Sequence, residues 1–162
     1  MRVYDIKPRE EWQRVSDKIY KETEMPSAVL DSKKVILQTS GKRNPLCAII
    51  RAIKESKSFI CGQTQAFMAE KAKETRKSVI DACEAGMLKF VIPLFYKGKW
   101  EGSLTACGAG IPDAKIEGFI IAKSTNMNEE EIEELAQSIS EVDPAEISEA
   151  ANQLFKELKE EQ

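Results

Sequence analysis

Histidine is absent from this 162-residue chain. Without an imidazole there can be no Ser-His-Asp or Cys-His catalytic unit, no His-ligated zinc and no His-ligated haem. Any general base would have to be a carboxylate, a lysine, a tyrosine or a thiolate, which weighs against hydrolytic and acyl-transfer enzymes. An excess of one charge is also missing: 24 basic and 27 acidic residues leave a net −3. The basic groups at residues 33–34 and 71–77 are very short or alternate with an acid, so they read as solvated faces rather than a nucleic-acid footprint. The opening "MRVYDIKPREEW" has no apolar core of a signal peptide, and no apolar run approaches the roughly 20 residues of a membrane span. The expectation is a cytoplasmic protein with reduced thiols, no membrane partner and no direct contact with nucleic acid.

What is present suits one domain over residues 1–162, since 42% hydrophobic content in a chain of this length supports a single core. Residues 8–24 carry Trp12, Val15 and Ile19 on one helical stripe, behind Pro8. Two short strands, "SAVLD" and "KVILQTS", precede the turn "GKRNP", and "LCAIIRAI" then places Leu46, Ile49, Ile50 and Ile53 on one helical face. A second helix is expected from about residue 63 to 76, and a short strand over 79–83. The hairpin follows, with strands over 88–96 and 100–107 and its turn around Gly98. "EGFIIAK" reads as one more strand. Asn128 opens a helix with Ile132, Leu135, Ala136 and Ile139 on one face, and "VDPAEI" starts a last helix with Ile147, Ala151, Leu154 and Leu158 at helical spacing. That last stripe suits docking on the domain or pairing with a second copy. This order predicts an α+β fold, a PAS-like antiparallel sheet flanked by helices.

The four cysteines raise the sharpest question. In a hairpin turning at Gly98, residue 107 pairs with a position between 88 and 90, and Cys83 lies only five residues before Leu88. Cys83 and Cys107 should therefore share one end of the sheet. Cys47 and Cys61 sit at or before predicted helix starts, where free N–H groups favour a thiolate. The spacings of 13, 21 and 23 intervening residues contain no C-x-x-C, so a local zinc knuckle is excluded. One free cysteine taken alone is most often a small buried hydrophobe. The coincidence of position favours instead a shared site of Cys47, Cys61, Cys83 and Cys107, for which zinc or an iron–sulfur cluster is the fitting cofactor. Three sulfurs with one open position would also serve.

On the hairpin, Leu88, Phe90, Ile92 and Leu94 share one face, while Lys89, Val91, Pro93 and Phe95 share the other. Apolar residues on both faces mark a central strand. Phe90, Ile92 and, from the partner strand, Leu104 are the candidate ligand-lining residues, with simple core as the plainer alternative. Trp100 reads as a packing anchor. "GKRNP" and "CGAGIPD" have glycine and, in the first, basic residues, but neither has the spacing of a nucleotide-binding loop.

The segments "NPLCAIIRAI", "FICGQTQAFMAEKAKETRKSVIDACEAGMLKFVIPLFYKGKWEGSLTACGAG" and "EGFIIAKSTNMNEEEIEELA" resemble the PocR sensory domain family over about residues 24–142. The likeness lies in the order of features: a Pro-Leu-Cys helix start, a cysteine before the next helix, a strand and loop ending in Cys-x-Ala-Gly, a hairpin, and a Cys-Gly after it. The resemblance implies a variant PAS-like fold that binds a small molecule, a diol or other small hydrocarbon derivative, and reports to an output module such as a DNA-binding domain or histidine kinase. It also implies family cysteine positions at Cys47, Cys61 and Cys83, with Cys107 shared by one branch. Where many members read Cys-His-Ala-Gly, this chain has Cys83, Glu84, Ala85 and Gly86, so any role of that histidine is lost or altered. No output module follows in the sequence, which suits a stand-alone sensor acting through a partner or dimer, or an excised domain. The expected function is a non-catalytic, ligand-binding sensor. Its rivals are a thiol-dependent redox protein using Cys61, and an oligomeric interaction domain whose cysteines are packing.

Overall fold

In the computed structural model, which describes residues 2–160, a five-stranded antiparallel sheet has the order β2-β1-β5-β4-β3. The strands are β1 (Ser27–Asp31), β2 (Ile36–Ser40), β3 (Val79–Ala82), β4 (Leu88–Tyr96) and β5 (Lys99–Ala109). β4 and β5 form the expected hairpin, pairing Tyr96 with Lys99 across a two-residue turn. Lys97 and Gly98 both take positive φ there, 50° and 78°, which matches the tight turn that suits twisted strands. β4 is buried along both faces until Tyr96, as its continuous apolar run predicts.

The topology decides what covers each face. The chain leaves the sheet at one edge, β2, and returns at the opposite edge, β3. Residues 41–78 must therefore cross one whole face. They do so as α3 (Pro45–Ala52), a short turn α4 (Lys54–Ser56), a π-helical segment (Lys57–Gly62) and α5 (Gln63–Thr75). Asn44 caps α3 by accepting from the Cys47 N–H at 2.9 Å, and Pro45 occupies the first position, where its missing N–H costs nothing. α5 packs Met68, Ala69 and Ala72 against Val79 and Val91 of the sheet.

The two ends of the chain cover the other face. They supply α1 (Val3–Ile6), α2 (Arg9–Thr23) and α8 (Pro144–Glu160). Trp12 and Ile19 of α2 and Ile147, Ala151 and Leu158 of α8 join Val29, Phe90, Ile92, Leu94 and Leu104 in one buried cluster. The terminal stripes are thus used within the chain, the docking alternative of the two that their spacing allowed. Trp12 is wholly buried and donates its indole N–H to the Val3 carbonyl at 3.0 Å, so its polar edge is satisfied.

One element departs from expectation. "EGFIIAK" lies in a helix, α6 (Gly118–Thr125), and not in a strand. A short run rich in Phe and Ile carries β-propensity, and periodicity cannot separate a buried strand from about two turns of buried helix at that length. Tertiary packing decides it: Ile121 is buried with Leu46, Ile50 and Ile132 in a second core beside the sheet, and Asn126 at φ 62° ends the helix. α7 (Glu129–Ala136), capped by Asn128 accepting from the Glu130 N–H at 2.7 Å, completes that core. No helix among the described residues is long and apolar enough to cross a membrane.

Candidate functional site

A cavity of about 480 Å³ lies between the sheet and the segment that crosses it, a size typical of small-molecule sites. Strand alternation sets its floor. Ala28 and Leu30 of β1, Lys89 of β4, and Thr105 and Cys107 of β5 all line it, while their immediate neighbours Val29, Phe90, Leu104 and Ala106 belong to the opposite core. Ile50 and Arg51 of α3 and Ile60, Cys61 and Thr64 of the following helical run form the roof.

The candidate ligand-lining residues Phe90, Ile92 and Leu104 are therefore placed elsewhere. They sit in the core under α2 and α8 and do not line this cavity. The physical reason is the period of two. These residues do share a face, but alternation alone does not say which face the helices seal.

All four cysteines line this one cavity, and all four are free and partly buried. Cys107 pairs with Lys89 across the hairpin, within the predicted window, and Cys83 follows β3 at the same end of the sheet. A bulge after Leu88 makes this end: Leu88 pairs with Ala109 and Lys89 with Cys107, leaving Gly108 as the extra residue at φ 100°. Asn44 exploits the bulge, donating to the Gly108 carbonyl at 2.7 Å and reaching Cys47 Sγ at 3.4 Å. Cys47 Sγ in turn lies 3.6 Å from Met87 Sδ.

The thiols do not have the electrostatics that helix starts suggested. Burial pushes the Cys47 thiol far up, and the neighbouring thiols of Cys107, Cys83 and Cys61 add to it; the bond from Asn44 offsets little of this. Burial also raises Cys61, opposed by the charges of Arg51 and Lys89, and raises Cys83, opposed by the backbone N–H groups of Met87 and Ala85. At Cys61 the backbone also differs from the expected helix start. The helix starts at Lys54, earlier than expected, so Cys61 lies inside a continuous helical run and no free helix terminus faces it.

The expected shared metal site is not supported. Among the described residues, no three cysteines or carboxylates approach closely enough to hold one metal ion. The thiols come from α3, the π-helical segment, the loop after β3 and β5, and are spread over the cavity wall.

Two residues central to this site, Lys89 and Arg51, are absent from the sequence-derived candidates. The signal for Lys89 is its place as the one charged side chain in a strand otherwise apolar from Leu88 to Phe95. Arg51 carries no comparable mark, because the helical face that it shares with the cavity is defined only by the sheet beneath.

The family model described as a sensory domain found in PocR matches residues 5–159. The chain belongs to the PocR sensory domain family. The match extends beyond the segments that suggested it and takes in both α2 and α8, so the helices sealing the far face are part of the family's domain. No curated protein matches the chain. Membership of this sensory family, together with the α+β, PAS-like arrangement of sheet and helices, supports a sensory, ligand-binding role.

Proposed function

We propose that the chain is a non-catalytic sensory module that takes a small molecule into the cavity between β1, β4, β5 and the α3 to α5 crossing. The observation that carries this reading is the contrast between a sheet face sealed by Trp12, Ile19 and Ile147 and one that encloses about 480 Å³. Ligand binding would act by population shift. Filling the cavity favours one packing of the sheet, and α2 and α8 lie on the reverse of the same strands, where a second copy or a separate output protein could read the change.

The test is thermal unfolding in the presence of small diols and other short hydrocarbon derivatives, repeated on Thr105→Phe, which places a ring in the cavity. A ligand at a hundred times its dissociation constant adds about 2.7 kcal/mol to stability, a shift of several degrees in a domain of this size. The expected outcome is stabilisation of the native chain that Thr105→Phe abolishes. Equal shifts in both proteins would locate binding elsewhere and refute the assignment.

A second reading keeps the cysteines as ligands of a zinc ion or an iron–sulfur cluster. It is favoured by one fact, the convergence of all four on a single cavity. Purification without oxygen, followed by metal analysis and a visible spectrum, tests it. One zinc or an iron chromophore per chain, lost in Cys83→Ala and Cys107→Ala, supports that reading; metal-free protein removes it. The rival redox enzyme fares worse, because a thiol held protonated by burial is a poor nucleophile at neutral pH.

A further inference from the structure

Lys89 is an anomaly in β4. It is only 7% exposed, its side chain lines the cavity, and it has no hydrogen bond or carboxylate partner among the described residues. A buried ammonium without a counter-charge is costly, so such groups are ordinarily paired. Its neighbours do not supply the missing charge. No aspartate or glutamate lies among the described residues that line the cavity with it, and burial raises the nearby Cys61 thiol despite the favourable charge of Lys89.

Five more cations line the same cavity: Lys34, Arg43, Arg51, Lys54 and Lys57. Among the described lining residues there is no aspartate or glutamate. None of the six cations forms an ion pair within the described chain, where the ion pairs involve Arg2, Lys7, Lys18 and Lys73 instead. Acids outnumber bases 27 to 24 in the whole sequence, so this enrichment runs against the composition of the chain. The cavity also has an apolar wall of Leu30, Ile36, Ile50, Ile60 and Met87.

We propose that the ligand of this cavity is a small organic anion, with a carboxylate or phosphate head paired to Lys89 and Arg51 and an apolar body against Leu30, Ile50, Ile60 and Met87. Arg51 suits the head because a planar guanidinium can meet a carboxylate or phosphate with two parallel hydrogen bonds, and Lys89 adds a compact charge from the floor. The exposed cations of the cavity lining, Lys54 and Lys57, draw the anion in. This inference rests on the proposed ligand-binding reading and narrows it from any small hydrocarbon derivative to an acid.

The experiment titrates ¹⁵N-labelled protein with butyrate, hexanoate, octanoate and butyl phosphate, and with the corresponding primary alcohols, at constant ionic strength. The amides of Lys89, Arg51 and Cys107 report binding. At least one acid is expected to move these amides and to bind roughly tenfold or more tightly than its alcohol, a preference that Lys89→Met reduces to near parity. Whether the carboxylates or the phosphate ester bind more tightly identifies the head group. Lys89→Met keeps the stem and removes the unpaired charge, so the ligand-free variant should melt no lower than the native chain. That readout separates a ligand-pairing lysine from a structural one, whose loss would destabilise. Acids and alcohols binding equally at these amides would overturn the anion and leave the sensory cavity standing. If neither class moves them at concentrations of about 20 mM, corresponding to only about 2 kcal/mol of binding, the anion falls, and the diol series with Thr105→Phe decides the sensory cavity separately.

Discussion

The two faces of the sheet are built from the same five strands and serve opposite ends. On the terminal-helix face, Phe90, Ile92, Leu94 and Leu104 meet Trp12, Ile19, Ile147 and Leu158, and the contact is closed. On the crossing face, Lys89, Thr105 and Cys107, one residue away along the same strands, look into a cavity under α3 and the π-helical segment. The difference shows where stability and function are separated in this fold. The chain's ends supply long amphipathic helices that can seal a face, whereas the crossing is broken at Ile53 and cannot lie flat on the sheet.

The comparison breaks first, and most visibly, at Trp12. Trp12→Ala on the sealed face should cost about 3–5 kcal/mol in chemical denaturation, because it empties a fully buried site and removes the indole bond to the Val3 carbonyl. A loss below about 1 kcal/mol would mean that the two faces do not differ in packing.

Asn44→Ala probes the hinge between cap and cavity. It removes the α3 cap and the bond to Gly108, so about 1–2 kcal/mol should be lost, accompanied by increased alkylation of Cys47. Unchanged thiol reactivity would show that Asn44 holds only the helix and not the cavity wall.

The thiols on the crossing face should also give it a pH dependence that the sealed face lacks. Cys47, Cys61 and Cys83 have raised values in the folded chain, so above the ordinary thiol range the unfolded state has lost protons that the folded state still holds. Their stabilisation is complete below about pH 8.5 and declines as pH rises toward the folded values, by up to about 1.4 kcal/mol per pH unit for each thiol. Cys83→Ala should flatten this slope in denaturation curves taken between about pH 8.5 and pH 10.5. An unchanged slope would assign the pH response to other groups.

The smallest effect is expected at Ile36. This residue is 45% exposed at the cavity edge, and Ile36→Ala should change stability by about 0.5 kcal/mol or less while weakening an apolar ligand. A stability loss as large as that of Trp12→Ala would make the cavity rim part of the core.

Much of the fold is legible in the sequence because local signals agree. The hairpin register follows from Gly98 and strand alternation, which confine the partner of Cys107 to residues 88–90, and Lys89 fills that place. The caps at Asn128 and Asp143 mark α7 and α8, where Asp143 accepts from the Ala145 N–H at 2.9 Å. α6 is ambiguous because eight residues with three consecutive apolar side chains, Phe119, Ile120 and Ile121, satisfy either strand or helix, and the strand reading is the wrong one. The candidate ligand residues fail for a different reason: Phe90 and Ile92 stand out by hydrophobicity, which marks a sealed core better than it marks a cavity.

By itself the sequence determined the alternation of β4 and β5, the stripes of α2 and α8, the family, and the convergence of Cys83 and Cys107, since each depends on residues near in sequence or on a fixed period. Only the tertiary structure decided which face is sealed, that burial raises the thiols of Cys47, Cys61 and Cys83, and that Lys89, Arg51 and four other cations surround one space without an acid among the described lining residues. Those properties arise from the crossing of residues 41–78 from edge to edge of the sheet. Its path brings together side chains from α3, the π-helical segment, β4 and β5 whose separation in sequence carries no local record of their meeting.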